Sequence, residues 1–177
     1  HQIVAILSST TTATTNSSSW NVYATGCKDG IIRIMDGKTH ELKFTLEGHD
    51  NAVTSLSWIE SSQTSTSTTS STNPWLVSGS WDGTAKIWSL ITNDNNDSQF
   101  VCLGTLEGHE NTVSVAGLPA ESDSVRKVVT VSAGIAEGNV IRGHTVRIWR
   151  LTAATTAAAN SVKSELVSQI ANDHSGP

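Results

Sequence analysis

The chain has 177 residues, enough for one domain with a sizeable buried core, and carries a net charge of −5 with a pI near 5.6. That acidic balance argues against a phosphate-binding surface, and so against nucleic acid as a partner. Hydrophobic residues make up 37% and charged residues 15%, both low for a globular protein, and serine plus threonine fill about a quarter of the positions. No window approaches 18 consecutive apolar residues and no charged-then-apolar leader opens the chain, so no membrane association is expected.

Read from the start, the chain shows one unit three times, each made of four short β-branched or alternating runs bounded by turn residues. The first unit gives runs at roughly 2–7, 21–27, 31–36 and 41–46. The second gives roughly 52–58, 75–80, 84–90 and 99–106. The third gives roughly 112–118, 126–133, 145–151 and 165–170. The Asp-Gly pairs at 29–30 and 82–83 are tight-hairpin signals between the second and third runs. No helix is predicted: the Ala-rich stretch 153–159 lacks caps and reads as a loop.

Two marks define the repeat. Gly48-His49 and Gly108-His109 each follow a run ending in Leu-Glu and precede an acidic residue and an asparagine, Asp50-Asn51 and Glu110-Asn111. A degenerate third copy is Asp173-His174. The second mark is Val77-Ser78-Gly79-Ser80-Trp81-Asp82-Gly83-Thr84-Ala85-Lys86-Ile87-Trp88, which aligns without a gap on Ala24 to Met35. The third version is split, Thr130-Val131-Ser132-Ala133-Gly134 and then Thr145-Val146-Arg147-Ile148-Trp149.

A Gly-His, a turn aspartate and a tryptophan six residues later resemble WD repeats. The resemblance implies an all-β propeller, here about three four-stranded antiparallel blades, not closed. The blades would span 1–46, 47–106 and 107–170, with a next repeat beginning at 171–177. On that register His1 falls just after a missing Gly-His, so a piece of a longer propeller is expected, prone to association through its two end faces.

Within such a blade the spacing supports a buried hydrogen-bond relay of histidine, hydroxyl, aspartate and indole. In the second unit these are His49, Ser78, Asp82 and Trp88. The first unit offers Thr25 and Asp29 but has Met35 in place of the tryptophan. The third offers His109, Ser132 and Trp149 but has Gly143 where the aspartate belongs. The relay accounts for His49 and His109 better than catalysis does. No Gly-x-Ser-x-Gly, His-Glu-x-x-His or phosphate-cradling loop accompanies them, so no enzyme, cofactor or metal site is expected. Cys27 and Cys102 are isolated and read as small packing residues. The acceptor patterns at Asn16 and Asn96 read as chance in a serine-rich chain.

Insertions at 8–19, 59–74, 91–98, 119–125 and 152–164 all fall on one end of the blades and read as low-complexity loops. The other end keeps short loops, apart from 134–144, and is the expected binding end. Its candidate partner-binding residues are Lys28, Asp50, Asn51, Trp81, Glu110 and Asn111. Trp81, next to the relay aspartate in a tight turn, is the expected aromatic anchor.

Residues 20–115 further resemble the amino-terminal propeller of the phospholipase A-2-activating protein family, through Tyr23-Ala24-Thr25-Gly26, Leu46-Glu47-Gly48-His49 and the Ser78 to Trp88 segment. That resemblance implies a ubiquitin-binding adaptor of the cytoplasm and nucleus, acting in ubiquitin-dependent degradation. Family members dock on the AAA ATPase valosin-containing protein through domains that these residues do not include. The competing expectation is a general WD-repeat scaffold, either a ubiquitin-ligase substrate receptor or a subunit of an RNA-processing complex.

Overall fold

The computed structural model describes residues 3–11, 20–59, 75–92, 97–122, 125–137, 140–153 and 161–175. The centres of four insertions (12–19, 60–74, 93–96 and 154–160), both acceptor asparagines and nearly all of the Ala-rich stretch lie outside them. Among the described residues every regular element is a strand.

Sheet one contains β1 (Ile3–Thr11), β2 (Trp20–Cys27), β3 (Ile32–Asp36) and β4 (Leu42–Leu46), paired in that order. Sheet two repeats the order with β5 (Val53–Ile59), β6 (Trp75–Ser80), β7 (Ala85–Thr92) and β8 (Ser98–Leu106). Sheet three places β9 (Val113–Leu118), β10 (Val125–Ser132), β12 (Val140–Ala153) and β13 (Val162–Ser175) likewise, with β11 (Ile135–Glu137) added beside β12. All pairings are antiparallel. The all-β, three-bladed architecture expected from the repeat is therefore the architecture found.

With the four strands of each sheet lettered a to d in chain order, the b–c hairpins of sheets one and two close through three-residue loops, and d–a loops join one sheet to the next. Gly30 and Gly83 sit at φ +80°, the left-handed position that glycine occupies without strain, and the preceding Asp29 and Asp82 accept the amide two residues on. Sheet three departs from this. Its hairpin continues past Ser132 into β11, and β13 runs alongside β12 to Ser175, so His174 pairs with Ile141. Asp173-His174, read above as a loop mark, lies inside a strand because the insertion at 134–144 lengthens the strand that it pairs with.

Packing between sheets builds two apolar cores. Ala24, Ile32, Ile34 and Leu46 of sheet one close on Val53, Leu76 and Trp88 of sheet two. Val77, Ala85, Ile87 and Leu106 of sheet two close on Val113, Val128 and Leu151 of sheet three. The first strands are also stitched by hydroxyls: Ser55 Oγ accepts from the Val115 amide at 3.0 Å, and Ser57 Oγ from the Gly117 amide at 2.8 Å. Arg126 pins the far end. Fully buried, it donates to the Ile59 carbonyl at 3.2 Å and lies 4.1 Å over the Trp75 ring.

Candidate functional site

Sheet two holds the complete relay. Trp88 Nε1 donates to Ser78 Oγ at 2.9 Å, and Ser78 Oγ is 2.7 Å from His49 Nε2. His49 Nδ1 is 2.7 Å from Asp82 Oδ2. An ionised carboxylate only accepts, so Nδ1 carries the proton and Nε2 accepts from the serine hydroxyl. Asp82 further accepts from the amides of Asp50 at 3.1 Å and Thr84 at 2.8 Å, and from the Thr84 hydroxyl at 2.7 Å. Burial raises the Asp82 pKa, but the bonds from Thr84 and His49 outweigh it and hold the carboxyl below its ordinary value. Burial lowers the pKa of His49, although Asp82 opposes it, so the neutral ring is favoured.

Sheet three builds a different relay. Trp149 Nε1 donates to Thr130 Oγ1 at 2.8 Å, and Thr130 Oγ1 is 2.7 Å from His109 Nε2. His109 Nδ1 meets Thr145 Oγ1 at 2.7 Å, and Thr145 in turn meets Ser132 at 2.9 Å. Thr130, not Ser132, thus occupies the place of Ser78, and Ser132 supports Thr145. The register gives the reason: Thr130 pairs with Arg147 as Ser78 pairs with Lys86. Gly143, at the expected aspartate position, lies inside β12; among the described residues no carboxylate bonds the His109 ring, and burial plus the nearby Arg147 charge push its pKa down to about 4.

Sheet one does not assemble a relay from Thr25 and Asp29. Thr25 Oγ1 donates to the Arg33 carbonyl at 3.4 Å, while Asp29 forms an ion pair with Arg33 at 2.9 Å. That guanidinium hydrogen bond lowers the Asp29 pKa.

These relays shape the end that carries the short loops. Gly30 packs against the His49 carbonyl and Gly83 against the His109 carbonyl, so each b–c turn abuts the next sheet's d–a loop. Lys28 and Trp81 sit on those turns, both exposed, and Asp50 and Glu110 sit exposed on the loops. The Trp81 amide donates to the Ala52 carbonyl at 3.0 Å, which fixes its backbone while 54% of the residue stays open to solvent. In the exposed Asn51 and the half-buried Asn111 the side-chain oxygen accepts the amide of the following residue, at 2.8 and 2.7 Å.

Sequence reasoning did not single out Thr130, Thr145 or Arg126 for the roles they fill. The repeated Val-hydroxyl-x-Ser pattern of 77–80 and 129–132 could have revealed Thr130, whereas Gly134 drew the alignment two residues too far. Nothing in the sequence marks Arg126. Among the described residues no group of three or more His, Cys, Asp or Glu side chains could hold a metal ion. Nor is any helix long and apolar enough to cross a membrane.

Comparison with known proteins agrees with this geometry. Residues 40–89 match the family model described as WD domain, G-beta repeat. The nuclear distribution protein PAC1 of Zygosaccharomyces rouxii is 34% identical over 106 residues, which cover 52% of this chain and 24% of that protein. The ribosome biogenesis protein WDR12 homolog of Trichoplax adhaerens is 39% identical over 89 residues, covering 48% and 17%. The crystal structure of RRP9 WD40 repeats superimposes with a TM-score of 0.50 at 21% identity, covering 82% of this chain and 32% of that one. The chain therefore spans a quarter or less of these curated relatives. Residues 40–89 are thus similar to a WD40 repeat, and the three four-stranded units have the fold of β-propeller blades in a sheet arrangement that is not closed.

Proposed function

We propose that this chain is a non-catalytic protein-interaction platform whose short-loop end binds ubiquitin. The observation that carries the reading is Trp81: half-open to solvent, on a turn held rigid because Asp82 beside it is committed to His49 and Thr84. A preordered, exposed aromatic ring is the kind of group that dominates interface energy. Asp50 and Glu110 flank it with negative charge, suited to steering a partner whose apolar patch is ringed by basic groups. Ubiquitin as that partner, with action in the cytoplasm and nucleus, rests on the residue resemblance over 20–115.

The second reading is a general WD-repeat scaffold that takes another protein at the same end. It is favoured by the spread of relatives, which are named for coatomer, ribosome biogenesis and nuclear distribution.

Titration of ubiquitin against the wild-type chain and Trp81→Ala decides between them. The variant is expected to lose about 2 kcal/mol of binding. Its thermal unfolding should change by less than about 0.5 kcal/mol, because the relay is untouched. Unchanged affinity removes Trp81 from the surface, and absence of ubiquitin binding to the wild type leaves the scaffold reading.

A further inference from the structure

Lys163 and Glu165 stand on β13, the outermost strand of sheet three, which pairs with β12 alone among the described strands. Val162 is half-buried against the core between sheets two and three. Side chains alternate along a strand, so Lys163 and Glu165 share the opposite face, about 7 Å apart. Both are exposed, as is Ser164 between them. Other lysines are engaged: Lys43 pairs with Asp36 at 2.8 Å, Lys127 pairs with Glu121 at 2.5 Å, and Lys86 donates to Thr105 at 3.0 Å. None of the ion pairs among the described residues involves Lys163. No other lysine in the sequence has an apolar residue before it and an acid two places after it.

The exposure of Lys163 belongs to its place in the blade and not to an uncovered face. Trp149 pairs with Leu166 and Thr152 with Lys163, as Trp88 pairs with Cys102 and Ile91 with Gln99. Lys163 therefore lies where Gln99 lies in sheet two. Sheet three covers sheet two, yet Gln99 is exposed, and Val101, at the place of Glu165, is only half-buried. β8 likewise pairs with β7 alone. The outer end of a fourth strand stays open when another sheet packs beside it.

We propose that Lys163 is a conjugation site for the small ubiquitin-like modifier, read as Val162-Lys163-Ser164-Glu165 in extended form. The conjugating enzyme of that modifier recognises an apolar residue, a lysine, any residue and an acid on an extended chain, the form that a free sheet edge presents. Val162 shows only part of its side chain, so the lysine and the glutamate carry the recognition. Nζ enters the groove that holds the enzyme's thioester, and the carboxylate meets basic side chains beside it. The deprotonated Nζ attacks the thioester carbonyl of the modifier's C-terminal glycine. An amide bond forms, the carbon–sulfur bond breaks, and the enzyme's cysteine leaves as a thiol with the proton that the nitrogen loses. The site lies at the end of the blade opposite Trp81 and does not depend on the ubiquitin-binding reading.

The test is a reconstituted reaction of the 177-residue chain with the modifier, its activating and conjugating enzymes and ATP, read by gel shift and peptide mass spectrometry. One modifier on Lys163 is expected. Lys163→Arg should remove that product, and Glu165→Ala should slow its formation about tenfold while Glu165→Asp keeps most of the rate. Circular dichroism confirms that each variant is folded. Moving the pattern to sheet two (Ser98→Val, Gln99→Lys and Val101→Glu, in the Lys163→Arg chain) should restore a product, now at position 99, on a sheet that another sheet covers. Conjugation only at other lysines, none at all, a rate indifferent to Glu165→Ala, or no product from the folded chain with the moved pattern overturns the proposal.

Discussion

His49 and His109 occupy the same place in two blades and differ in one neighbour. His49 faces a carboxylate; His109 faces two threonine hydroxyls. Asp82 offsets part of the cost of protonating the buried His49 ring, whereas at His109 burial and the Arg147 charge both disfavour protonation. The consequence is a pH dependence with a definite sign. His109 has a folded pKa near 4 against an ordinary value of 6.5, so the unfolded chain binds the extra proton between those limits. Its contribution to stability is complete above about pH 6.5 and is lost as pH falls toward 4, on the order of 2–3 kcal/mol in all. Denaturant unfolding from pH 7 to 4 should show that loss. Thr145→Asp, which supplies a carboxylate, should raise the His109 pKa in an NMR titration and flatten the curve. Persistence of the full slope in that variant contradicts the assignment.

The corrected role of Thr130 makes a second residue-scale prediction. Thr130→Val strips one hydroxyl from two ring nitrogens, the buried His109 Nε2 and the part-buried Trp149 Nε1, and should destabilise by about 2–3 kcal/mol. Ser132→Ala removes one support of Thr145 and should cost about 1 kcal/mol or less. Urea melts of the two variants distinguish them, and a larger loss in Ser132→Ala would restore the relay as first read from the sequence. The second blade was legible because its spacing is uninterrupted from Ser78 to Trp88. The third was not, because an insertion sits between its strands and leaves Thr130 and Ser132 as rival hydroxyls for the place of Ser78.

At the scale of elements, the strand boundaries of sheets one and two follow closely from alternation and the Asp-Gly turns. What alternation does not show is how closely one sheet approaches the next. That depends on Gly26 and Gly79, which look in the sequence like weak points in strands and in the fold are points of contact. Gly79→Ala should therefore destabilise by about 1–3 kcal/mol, although alanine suits a strand better than glycine, because its methyl meets the Val113 backbone. A melt showing no loss would mean that the sheets separate more readily than their packing implies. The long strands of sheet three were equally hidden, since pairing along β12 draws Ala171 to Ser175 into β13 despite an Asp-His mark copied from a loop.

At the scale of the molecule, three repeated units and their relays explain why one end stays rigid and free of low-complexity sequence. The 81–83 turn is held on both sides, by Trp81 N–H to the Ala52 carbonyl and by Gly83 against the His109 carbonyl, and Gly30 of the 28–30 turn abuts the His49 carbonyl. The sequence placed Lys28, Asp50, Trp81 and Glu110 at that end through the repeat register alone. The bonds from the Asn51 and Asn111 side chains to the following amides needed the loop conformation, which no spacing encodes. The central claim is that this end is a binding surface centred on Trp81. Its most direct test is an NMR titration of the isotope-labelled chain with ubiquitin. The account predicts that the Trp81 indole resonance and the amides of 50–52 and 110–112 shift together with one affinity, while the buried Trp88 indole does not move. Shifts confined to other parts of the chain, or none at saturating ubiquitin, would contradict it.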